Sequence, residues 1–65
     1  MTRQQVVNEL CHLEAGVVLA LLGVTVYCNR RRLFTVEGST PLTLSDAAAE
    51  VLRLARVRRT LQQAM

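Results

Sequence analysis

A chain of 65 residues accommodates one small domain and excludes a multidomain machine. Its composition, 51% hydrophobic with leucine, valine and phenylalanine supplying about a third of all residues, excludes a disordered tail. Eight cationic side chains stand against five acids for a formal charge of +3; every cation is arginine, and isoleucine and tryptophan are absent too.

So short a chain buries only roughly 60% of the surface that its unfolded form exposes. Small scaffolds offset that shortfall with disulfides, metals or self-association. The high apolar content points to the last of these, and a homodimer is the expected state. Cys11 and Cys28 are too few for a disulfide scaffold and read as small hydrophobes in a reducing, cytoplasmic compartment, with a single bridge between them left open. Cys11, His12 and Cys28 lack the spacing of a metal site, and adjacent Cys11 and His12 point about 100° apart on a helix. No metal and no cofactor are expected.

The first element opens on Thr2-Arg3-Gln4-Gln5, a capping-box pattern. Apolar residues then recur at steps of three and four from Val6 to Leu22, with Gly23 placed to end the element. A long helix over residues 2–22 is predicted. Val24-Thr25-Val26-Tyr27-Cys28 and Leu33-Phe34-Thr35-Val36 are β-branched and aromatic, and predict strands over 24–28 and 32–37 joined at 29–32. Thr43-Leu44-Ser45-Asp46 is a second capping box, with Leu42 and Ala47 spaced for a hydrophobic staple. It begins a helix over 44–63 whose acids lie early and whose arginines lie late, complementing the helix dipole. The predicted architecture is a single α+β domain, α-β-β-α.

The uncharged run at residues 15–28, followed by three arginines, admits a single-pass membrane peptide as an alternative. Its length suits buried core better than a span, and no small-x-small cleavage pattern follows it.

Catalytic patterns are missing. His12 is the only histidine, and no phosphate-binding loop, nucleophile elbow or metalloprotease motif occurs. The chain reads as a non-enzyme with no catalytic residue. Two arginine groups, Arg30, Arg31 and Arg32 at the hairpin tip and Arg53, Arg56 and Arg59 on the last helix, are candidates for contact with an acidic protein or a phosphate backbone. Only Tyr27 and Phe34 could interleave with them, so no single-strand stacking platform is indicated. Val17, Val18, Leu21, Leu22, Leu52 and Leu61 are candidates for a dimer or partner interface, because the predicted elements cannot cover every apolar stripe. The expected function is that of a small regulator or inhibitor that occludes a partner's surface, in the manner of accessory proteins from phages and mobile elements of bacteria. Apolar burial would supply affinity and arginines steering toward an acidic target. A nucleic-acid-binding regulator is the alternative.

Overall fold

The computed structural model describes the backbone of residues 1–64 and the side chains of residues 1–61. The elements are α1 (Arg3–Cys11), β1 (Val18–Leu21), β2 (Val24–Cys28), β3 (Phe34–Val36) and α2 (Leu44–Ala64). The three strands form one antiparallel sheet in the order β1-β2-β3. The α+β class and the order helix, strands, helix agree with the sequence reading.

The helix predicted over 2–22 is corrected to Arg3–Cys11, and its second half supplies an additional strand. The start is as expected. Thr2 accepts from the Gln5 N–H at 3.2 Å, and the Gln5 side chain accepts from the Thr2 N–H at 2.7 Å. His12 caps the other end, and a turn carries the chain to Gly16 at φ +84°. The Gly16 N–H donates to the Cys28 carbonyl at 2.7 Å and the Cys28 N–H donates to Val17 at 3.2 Å, so two residues oppose one in a glycine-type β-bulge. Leu19-Ala20-Leu21-Leu22 favours helix by intrinsic propensity, yet pairing with β2 overrides it. The strand is hard to read because residues on both of its faces are apolar, which erases the alternation that marks a half-buried strand.

Gly23, expected to end a helix, instead closes the β1–β2 hairpin. Leu21 pairs with Val24, and the loop between them is Leu22 at φ +55° and Gly23 at φ +77°. Two positive φ values in a two-residue loop are what a type I′ turn requires, and its twist suits the flanking strands.

Alternation along the strands sorts the side chains. Val24, Val26 and Cys28 on β2 are buried, as are Phe34 and Val36 on β3, while Thr25 and Tyr27 point away. The inward face joins Val6 and Leu10 of α1, Leu13, Leu21, and Ala47, Ala48 and Val51 of α2 in one core. Ala47 and Ala48 are fully buried, and their small side chains let α2 lie close to its neighbours. Both helices occupy one side of the sheet and pack on each other, leaving the outer face with Val18, Ala20, Thr25 and Tyr27 uncovered. At about 1.5 Å per residue α2 is roughly 31 Å long, which accounts for the 39 Å longest dimension of the molecule. Thr43 begins it, accepting from the Asp46 N–H at 3.3 Å.

Residues 15–28 thus form a turn and a β-hairpin. Among the described residues no helix is long and apolar enough to cross a membrane.

Candidate interaction surface

The β1–β2 turn lies against the C-terminal half of α2. Arg58 reaches across and donates to the Gly23 carbonyl at 2.6 Å. Beside this tie a groove of about 280 Å³ is lined by Met1, Leu22, Leu52, Ala55, Arg56 and Arg59. An adjoining cleft of about 290 Å³ shares Leu22, Ala55 and Arg59 and adds Gly23 and Arg58. Apolar Leu22, Leu52 and Ala55 thus share the lining with Arg56 and Arg59. Arg56 and Arg59 are exposed, and their guanidinium groups make no hydrogen bond or ion pair within the described residues. Leu22, at 41% exposure, is the residue that connects turn and helix across the groove.

Arg58 also ties α2 to Glu37. This residue, at φ +50°, continues the sheet past β3: its N–H donates to the Thr25 carbonyl at 2.9 Å, and its carboxylate accepts from the Thr25 N–H at 3.3 Å. The second carboxylate oxygen accepts from Arg58 in an ion pair. Arg58 and then the Thr25 N–H hold the Glu37 carboxyl below its ordinary range, against a smaller opposing effect of desolvation. Arg58 is pushed upward by the same contact. One arginine therefore joins the hairpin turn, the end of β3 and α2. Arg58 lies off the stripe that Arg53, Arg56 and Arg59 make at three-residue steps, and nothing in the local pattern marks Glu37 as its partner.

The remaining arginines divide by role. Arg32, at φ +63°, folds back onto the end of α1 and donates to the carbonyls of Leu13 at 2.7 Å and Cys11 at 2.9 Å. It neutralises the negative end of that helix. Arg53 pairs with Glu50 one turn away, and Arg3 donates to the Ser45 hydroxyl at 2.6 Å. Arg30 and Arg31 are exposed at the β2–β3 connection, which Asn29 shapes by accepting from the backbone N–H groups of Arg31 at 2.8 Å and Leu33 at 3.0 Å. Gly23 and Asn29 bracket β2, so at about 3.3 Å per residue the tip arginines sit roughly 20 Å along the strand from the turn that Arg58 holds. The two groups expected to act together lie at opposite ends of the sheet.

Of the apolar candidates, the groove unites Leu22 and Leu52. Leu21 lies in the core, and Val17 and Val18 are exposed before and on β1. Leu61 is exposed on the far end of α2, one turn beyond exposed Val57. His12 bonds through Nδ1 to the Asn8 carbonyl at 2.7 Å, a local contact within the helix end. Cys28 is buried and Cys11 exposed, both as free thiols. Among the described residues no group of histidine, cysteine and acid side chains converges as a metal site.

The fold and this surface define a small α+β protein with a groove lined by apolar side chains and arginines at one end of its sheet. Comparison of the chain with protein-family models, with curated proteins and with solved structures finds no significant match.

Proposed function

We propose that this is a small, non-enzymatic cytoplasmic regulator that binds a partner protein through the Leu22 groove and occludes the surface it contacts. Leu22 carries the reading. The first loop position of a type I′ turn favours asparagine, aspartate or glycine, and a leucine there strains the backbone by about 1–2 kcal/mol. Strain of this kind persists where a side chain is needed in place, so it directs attention to what the side chain touches. Here it lines a groove with Leu52 and Ala55, beside Arg56 and Arg59, whose guanidinium groups have no partner among the described residues.

The chemistry of the groove fits a segment that brings one apolar side chain flanked by carboxylates. The apolar group packs on Leu22, Leu52 and Ala55 and the carboxylates meet Arg56 and Arg59. Apolar burial sets affinity, and charge sets orientation and association rate. A phosphate track is supported less well, because Arg30 and Arg31 lie far from Arg56 and Arg59 while Arg32, Arg53 and Arg58 already hold partners within the fold.

Affinity capture from source cells with the natural chain, Leu22→Asn and Arg56→Glu/Arg59→Glu tests this reading. Proteins recovered by the natural chain and lost with both variants are the expected targets, with direct affinity at least tenfold weaker for either variant. Recovery unchanged by both variants, or recovery of nucleic acid whose binding falls log-linearly with salt, would refute it.

A further inference from the structure

Every strand residue offers one backbone donor and one acceptor, and an antiparallel ladder uses them alternately on its two sides. On β2 all are taken. Val24, Val26 and Cys28 bond to β1 and its bulge, while Thr25 and Tyr27 bond toward Glu37 and Thr35. On β3, Phe34 and Val36 turn their backbone groups toward the outer edge, and all of these groups are closed off. Phe34 exchanges two bonds of 2.8 Å with Leu42, the Val36 N–H donates to the Ser39 hydroxyl at 3.0 Å, and the Val36 carbonyl accepts from the Ser39 N–H at 3.1 Å. That edge is sealed.

The opposite edge is bare. Leu19 and Leu21 face β2, so Val18 and Ala20 present their N–H and C=O groups outward, and none of these four groups has a partner within the described residues. Proteins guard such edges with charge, proline or a covering segment. Beyond the bulge at its start, β1 has none of these, and residues 15–28 contain no charged side chain at all. Val18 is 58% exposed.

We propose that β1 pairs antiparallel with β1 of a second copy of this chain, joining two three-stranded sheets into one six-stranded sheet. The register is set by the free groups. Val18 of each copy opposes Ala20 of the other, Leu19 meets Leu19 on the two-fold axis, and four hydrogen bonds form with no free group left on either strand. Each Val18 side chain, exposed in one chain, then packs against an alanine across the strand boundary. This register carries the Leu22-Gly23 turn of each copy toward Gly16 and Ala15 of the other copy. A second copy is thus matched at every free backbone group of this edge. The pairing rests on the strand edge and does not depend on the groove as a binding site.

Sedimentation equilibrium of the full chain tests the pairing, together with two double variants on the solvent face of β1. Val18→Lys/Ala20→Lys sets like charges opposite each other twice across the axis; Val18→Glu/Ala20→Lys sets opposite charges there. The natural chain is expected to reach the mass of two chains. The first variant weakens the dimer at least tenfold and the second restores it, with unchanged circular dichroism in all three. A single-chain mass at every concentration up to about 1 mM, a standard association free energy weaker than about 4 kcal/mol, overturns the proposal. So does a dimer indifferent to the lysine pair, and so does failure of the glutamate–lysine pair to restore it.

Discussion

Replacing Leu22 separates two opposed contributions at one position. A fully buried leucine contributes about 1.5–3 kcal/mol, so a side chain that remains 41% exposed contributes about 1–2 kcal/mol. Against this stands the left-handed backbone at φ +55°, which costs a residue with a Cβ roughly 1 kcal/mol or more. Leu22→Ala removes the packing and keeps the strain, and is expected to destabilise by about 1–1.5 kcal/mol. Leu22→Asn removes the same packing but suits the turn, returning about 1 kcal/mol and leaving stability within about 0.5 kcal/mol of the natural chain. The asparagine variant should therefore be the more stable of the two by about 1 kcal/mol, a separation of roughly 4–8 °C in Tm for a domain of this size. Gly23→Ala is the matching control. An added Cβ meets nothing within 4 Å, so its whole effect is backbone strain at φ +77°, about 1 kcal/mol of destabilisation. Urea unfolding followed by circular dichroism measures all three. An alanine variant as stable as the asparagine variant would show that the turn is not strained, and the reasoning that singles out Leu22 would fall with it.

Two further outcomes follow from the arginine contacts. The Glu37 carboxyl is held below its ordinary value in the folded chain, so its stabilising effect is present above the unfolded-state value and is lost as pH falls through the folded-state value. Unfolding free energy measured from pH 7 downward should decline less steeply for Glu37→Gln than for the natural chain, and parallel declines would remove Glu37 as a source of acid sensitivity. Arg32→Ala deletes both bonds to the end of α1 and is expected to lower stability by about 1–2 kcal/mol, read as a fall in Tm; an unchanged Tm would mean the cap contributes nothing.

The sequence by itself determined the two helix starts and the central strand. Thr2 with Gln5, and Thr43 ahead of Asp46, mark helix starts because a side-chain oxygen three residues before a free N–H satisfies it locally. The alternation in Val24-Thr25-Val26-Tyr27-Cys28 is legible because a polar or amphipathic residue stands at every outward position. In Val18-Leu19-Ala20-Leu21 the outward positions are apolar as well, so a helix and a strand fit the run equally. Only the partner strand decides between them, since the backbone bonds that β2 supplies come from residues farther along the chain. The arginines followed the same division. Charge and spacing singled out Arg56 and Arg59, whose guanidinium groups have no partner among the described residues, whereas Arg32 and Arg58 took their roles from carbonyls 19 to 35 residues away. Short-range physics writes caps, turns and alternation into the sequence. Tertiary structure alone decides which arginine is occupied, which apolar run becomes an edge, and that Leu22 stands over a groove, because each depends on which distant groups the fold brings within bonding distance.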